Sequence, residues 1–119
     1  TFLGHCDLIQ KQNIKSKLFN EDDLWYKKEL KVLAKEIKKA GVVTEVNTGA
    51  ICRSGAKRPY PSPYLLALLK EYGVPVTINS DAHTTEGIDC WFTEAVEYIK
   101  KAGYTELAFY EDGLKFQKI

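Results

Sequence analysis

Ser80-Asp81-Ala82-His83 sets a carboxylate and an imidazole two residues apart, where the apolar run 74–78 ends. Both side chains are ligands for divalent cations. On an extended segment they project to one side, so the pair can bind one metal or bridge two neighbouring ones. Taken alone, the D-x-H triplet reads equally as a helix cap followed by a loop residue. The other histidine of the chain, His5, lies in Gly4-His5-Cys6-Asp7 directly after the short apolar start 1–4, with Asp7 placed to orient its ring. Two strand-end histidines and an aspartate favour a metal site of His5, Asp81 and His83, with Asp81 and His83 as the catalytic pair. Cys6 points away from its neighbours if the segment is extended, and reads as a packing residue.

Glu45 and Asn47 alternate with Val46 at the end of a β-branched run, so they share one face. There they would touch a substrate or form a buried polar network, and the pattern suits both. Arg53, Lys57 and Arg58 follow in a loop that also holds Gly49, Ser54 and Gly55. Guanidinium pairs and free backbone donors suit a phosphate, with Arg53 nearest the strand end as the first contact and Arg58 as a second. A solvated basic loop is the bland alternative.

These residues need a scaffold that brings strand ends together. Apolar positions spaced three and four apart predict an amphipathic helix over 21–40, capped by Asn20 and closed by Gly41. The β-branched run predicts a strand over 42–47. Ser62 and Pro63 open a helix over 64–72 that stops at Gly73, and a strand follows over 74–79. A helix over 88–102 ends at Gly103, and a last strand covers 106–110. The order is β-α-β-α-β-α-β, the pattern of parallel strands joined by right-handed crossovers. In such folds loops at the carboxyl ends of strands carry function, and that edge would hold His5, Glu45, Asn47, Asp81, His83 and Glu111.

At 119 residues the chain suits one domain or part of one, well short of the roughly 250 residues of a full parallel barrel. Seventeen lysines and arginines stand against sixteen acidic residues, and a net charge of +1 gives no global attraction to nucleic acid or an anionic membrane. No apolar run approaches a membrane span, and no charged-then-apolar leader opens the sequence. The three cysteines, Cys6, Cys52 and Cys90, are widely spaced and lack a C-x-x-C pair. This argues against a disulfide framework or a thiolate zinc site and for a reducing, cytoplasmic setting.

Gly4-His5-Cys6-Asp7-Leu8-Ile9, Glu45-Val46-Asn47-Thr48-Gly49, the loop 53–63 and Ser80-Asp81-Ala82-His83 occur in an order and spacing that resemble histidinol-phosphatases of the polymerase-and-histidinol-phosphatase (PHP) family. The resemblance runs over most of the chain. It implies the carboxyl-terminal half of a distorted seven-stranded (β/α)7 TIM-like barrel, with residues 1–119 as a single partial domain. By the same resemblance, His5, Asp81 and His83 match metal ligands and Arg53 a phosphate contact. Up to three divalent ions, zinc, manganese or iron, would serve hydrolysis of L-histidinol phosphate in histidine biosynthesis. The family's leading H-x-H motif and a following glutamate and histidine have no counterpart in this sequence. The expected partner is therefore the missing amino-terminal half or a second copy, and catalysis by this chain alone is not expected. Two other readings are another phosphoesterase or nuclease of the same family, and a metal-free remnant or assembly module.

Overall fold

The computed structural model describes residues 1–16 and 18–119, with side chains for all of these except 14–16. In chain order the elements are β1 (Phe2–Leu3), α1 (Gln10–Ser16), α2 (Leu24–Ala40), β2 (Val43–Asn47), α3 (Gly49–Ser54), α4 (Pro63–Glu71), β3 (Val76–Asn79), a 3-10 turn (Thr85–Gly87), α5 (Phe92–Lys101), β4 (Glu106–Tyr110) and β5 (Leu114–Lys118).

The mixed α/β class expected from periodicity is present, built on a parallel three-stranded sheet in the order β1-β2-β3. Phe2 pairs with Val43, Thr44 with Val76 and Asn47 with Asn79. The register brings the ends of β2 and β3 level, so polar residues at either end share one edge. The expected fourth parallel strand does not join this sheet. Instead β4 pairs antiparallel with β5 as a separate hairpin, Tyr110 opposite Leu114. The cause is local: Asp112 and Gly113, both at positive φ, make the tight turn that an Asp-Gly pair favours between strands. Glu111 accordingly sits at that turn, 2.9 Å from Lys115, and not at the edge of the parallel sheet.

Helix α2 starts later than its acidic lead-in suggests. Asn20 folds residues 20–23 into a turn, its side chain accepting from the Asp22 amide at 3.0 Å and its carbonyl from Asp23 at 3.0 Å. Asp23 then becomes the residue before the first helical turn. At the other end Gly41, at φ 65°, donates to the Lys38 carbonyl at 3.1 Å, closing the helix in the left-handed conformation that glycine adopts without a Cβ clash. Ser62 caps α4 through its hydroxyl, which accepts from the Leu65 amide at 3.4 Å.

Two apolar clusters anchor the frame. Tyr26, Leu30, Ala34 and Ile37 of α2 pack on Leu65, Leu68 and Leu69 of α4 together with Cys6 and Val74. Val46 and Val76 of the sheet pack with Leu66, Ala95, Ile99 and Tyr104. Helix α4 thus feeds both clusters. Val46 points into the core, and so its neighbours Glu45 and Asn47 point to the opposite face of the strand.

The cysteine expectation is overturned. Cys52 on α3 and Cys90 just before α5 form a disulfide, with Cα atoms 6.2 Å apart despite 38 residues between them. Sequence spacing carries no sign of it, because the fold alone brings α3 beside the start of α5. Cys6 is free and buried, as a packing residue should be.

Candidate active site at the strand ends

His5, Asn47, Arg53, Tyr60 and Asp81 line a cleft of about 270 Å³ at the ends of the parallel strands. Asp81 is its centre. His5 Nε2 lies 3.3 Å from Asp81 Oδ2, and His83 Nε2 lies 3.7 Å from Asp81 Oδ1. Arg53 Nη2 donates to Oδ2 at 2.5 Å, and its Nη1 donates to the Asp81 carbonyl. One carboxylate therefore has an imidazole near each oxygen and a guanidinium across one of them.

The backbone reaches this arrangement by an unexpected route. His5, Asp7 and Asp81 have φ of 55°, 94° and 50°, the left-handed region that non-glycine residues seldom occupy. Such strain gathers where surrounding structure fixes a side chain for a task. The alternation expected for extended segments consequently fails in two places. Asp81 and His83 meet through a turn, not along a strand. Asp7 turns away from His5 and is buried, its Oδ1 accepting from the Tyr26 hydroxyl at 2.8 Å and its Oδ2 from the Ser62 amide at 2.9 Å. Asp7 therefore ties the His5 turn to α2 and to the start of α4, and does not orient the imidazole.

The carboxylate beside the His5 ring is that of Glu45, its Oε1 3.8 Å from His5 Nδ1. Its Oε1 accepts from the His5 amide at 2.9 Å and from Asn47 Nδ2 at 2.8 Å, and its Oε2 accepts from Asn79 Nδ2 at 2.5 Å. Three donors satisfy this buried carboxylate, which holds the His5 backbone and the ends of β2 and β3 together. Asn47 Nδ2 also lies 3.4 Å from His5 Nε2. A protonated Nε2 donates to Asp81, whereas an unprotonated one accepts from Asn47 or offers its lone pair to a cation. Gly49 permits the close approach of α3, because a Cβ there would lie 2.8 Å from the Ser80 carbonyl.

Arg58 stands apart. Its Nη2 lies 2.8 Å from both oxygens of Glu21, in a neighbouring groove of about 650 Å³ that shares Lys11, Ser54 and Tyr60 with the cleft. Asn79 went unnoticed in the sequence, although a polar residue closing an apolar strand beside Asp81 was the available signal. Its Oδ1 also accepts from the Asp81 amide at 3.2 Å.

Burial alone would raise the Asp81 carboxyl, but hydrogen bonds from Arg53 and His5 and their charges outweigh it and hold the group below its ordinary value of 3.8. A carboxyl that is more acidic folded than unfolded stabilises the fold above the unfolded value. That contribution disappears as pH falls through the lower folded value. Carboxyl NMR titration should place the Asp81 midpoint below 3.8. In Arg53→Met it should move back up, and an unmoved midpoint would refute the role of Arg53. Behind the site, burial, then the hydrogen bond to Asp7, push the Tyr26 phenol well above its usual range, while Gln10 Nε2 donates to its oxygen at 2.6 Å. Tyr26→Phe leaves an Asp7 oxygen and Gln10 short of a partner. The expected cost is about 1–3 kcal/mol, read as a lower urea midpoint with unchanged slope.

The donor chemistry, imidazole and carboxylate, suits zinc, manganese or iron. Among the described residues, however, no group of three histidine, cysteine or acidic side chains converges as a cation cage. The fit is a partial one in which Asp81 offers one oxygen beside each histidine. No helix among the described residues is long and apolar enough to cross a membrane. No family model matches the chain. It is 32% identical over 117 residues to a probable histidinol-phosphatase of Schizosaccharomyces pombe, an alignment that covers 93% of this chain and 36% of that protein. The chain thus spans about a third of the length of this curated relative, to which it bears a distant histidinol-phosphatase-like relationship.

Proposed function

We propose that the chain is the carboxyl-terminal part of a metal-dependent phosphomonoester hydrolase of the PHP family, acting on L-histidinol phosphate. The carrying observation is the convergence of His5, His83 and Arg53 on the Asp81 carboxylate. The similarity to a probable histidinol-phosphatase supports the substrate class. In this reading the parallel strands are the second half of a distorted β/α barrel. The remaining ligands come from the rest of the protein, without which this chain is inactive.

Asp81, His5 and His83 would hold the cation. When bound, it would supply Lewis acidity and charge at the phosphoryl oxygens. Arg53, now on Asp81 Oδ2 at the cleft, would face the substrate phosphate, for which its planar fork is suited. Glu45 and Asn47 keep the His5 ring in place from below. Charge-assisted hydrogen bonds contribute about 1.5–3 kcal/mol each. In the complete enzyme Arg53→Met should therefore raise KM tenfold or more, and an unchanged KM would count against the phosphate role.

The deciding experiment measures metal content of the purified chain, then histidinol phosphate hydrolysis before and after adding a separately expressed amino-terminal portion of the full-length protein. Activity that appears only on mixing, with bound metal, is the expected result. A metal-free chain that stays inactive in the mixture would replace this reading with that of an assembly module.

A further inference from the structure

His83 sits on an exposed loop between Asp81 and Trp91, and this loop is held only at its ends. Its residues from Ala82 to Asp89 are exposed, apart from the partly covered Gly87. Three of its backbone hydrogen bonds close on the loop itself, from Gly87 to Thr84, from Ile88 to Thr85 and from Cys90 to Gly87, and the Phe92 amide of α5 donates to the Asp89 carbonyl at 3.1 Å. Among the described residues, the hydrogen bonds and covalent links that leave it are few. At the start, Asp81 is gripped by Arg53 and His5. At the end, the Thr48 hydroxyl donates to the Cys90 carbonyl at 2.9 Å, and Cys90 is bonded to Cys52.

Cys52 is the residue immediately before Arg53 on α3. The disulfide therefore joins the element that carries the guanidinium to the far end of the loop that carries the imidazole. With Arg53 on Asp81 at one end and the sulfur bridge at the other, α3 spans both ends of the loop.

We propose that Cys52 and Cys90 form a redox-controlled clamp on the His83 loop, opened by a dithiol reductant. The dithiol supplies two electrons and two protons. A thiolate of the reductant attacks one sulfur, the Cys52–Cys90 bond breaks, two cysteine thiols form and the reductant leaves as its own disulfide. Both bridging cysteines are half-buried, neither of them sealed in the core. Cys6 stays out of the exchange. It is the free cysteine and lies buried in the first apolar cluster, away from the bridge. After reduction the loop loses its covalent tie to α3, and its far end is held by the Thr48 hydrogen bond, by the Phe92 amide on the Asp89 carbonyl at 3.1 Å and by Trp91 against Tyr98. The loop's freedom does not depend on the function proposed above, whereas a consequence for metal affinity rests on the reading of His83 as a ligand.

The test uses the full chain, oxidised and dithiothreitol-treated, beside a Cys52→Ser/Cys90→Ser double variant. Thiol titration of the unfolded, unreduced chain should find one thiol, that of Cys6, out of three cysteines. Amide hydrogen exchange of residues 82–91 should speed up about tenfold or more on reduction, with β2 unchanged. The double variant should exchange at the fast rate with or without dithiothreitol. Three free thiols, an exchange rate indifferent to reduction, or a double variant that still responds would each overturn the clamp. Zinc affinity, measured in parallel, separates the two claims. A loop that loosens with unaltered zinc affinity supports the clamp and removes His83 from the ligand set.

Discussion

Asp81→Ala is expected to lower the affinity of the chain for a divalent cation by more than about a hundredfold while leaving its circular dichroism unchanged. Loss of a residue that merely supports a ligand costs about 10- to 100-fold, and in the proposed site Asp81 would be a ligand itself, with His5 and His83 near its two oxygens. The fold should survive because the group left behind, Arg53, is 38% exposed and can turn to water. His83→Ala should show the same pattern to a smaller degree, since its ring is the most exposed of the set. Isothermal titration with zinc or manganese measures both variants. Wild-type affinity in Asp81→Ala would remove the proposed metal centre altogether.

Leu66→Ala should produce the largest loss of stability. The side chain is fully buried on α4, against Val46 and Val76 of the strands and Ala95 and Ile99 of α5. Truncation removes apolar contact and leaves a cavity that a cluster drawn from four elements cannot close by moving one of them. Such substitutions cost about 2–5 kcal/mol, a large share of the roughly 5–15 kcal/mol that holds a domain together. Urea denaturation should show a much lower midpoint. The effect should reach the site, because Val46 and Val76 lie on the strands whose ends carry Asn47 and Asn79. A loss below about 1 kcal/mol would mean that the second cluster is not the keystone of the sheet.

The parts of this structure that follow from local chemistry were legible in the sequence. Gly41, Gly73 and Gly103 mark the ends of the three longer helices, Ser62 caps α4, and β2 and β3 lie within their expected spans. The company kept by His5, Asn47 and Asp81 was legible too, because each falls at or just beyond a strand end and parallel strands bring such ends together, whereas Arg53, expected on a loop, reaches them from the last turn of α3. What sequence reasoning missed depends on contacts between distant segments or on unusual backbone. The disulfide joins residues that only the folded chain makes neighbours. Asp7 is near His5 in sequence as an orienting carboxylate would be, yet positive φ at both residues turns it away. Arg58 was grouped with Arg53 by proximity in sequence, yet Glu21 holds it in the next groove. The hairpin was misread for a different reason, since its Asp-Gly turn signal was present and β5 was passed over.

The two sheets also differ in how the chain can build them. The hairpin pairs Tyr110 with Leu114 across a tight turn, a closure that takes microseconds in isolated peptides. The parallel sheet has no such seed, because joining Phe2 to Val43 and Thr44 to Val76 requires the intervening helices to be compact first. The cleft lies at the ends of those late-forming strands, so the residues that meet at Asp81 should be among the last to come together. Their assembly, and not that of the hairpin, should set the pace at which the chain reaches its native state.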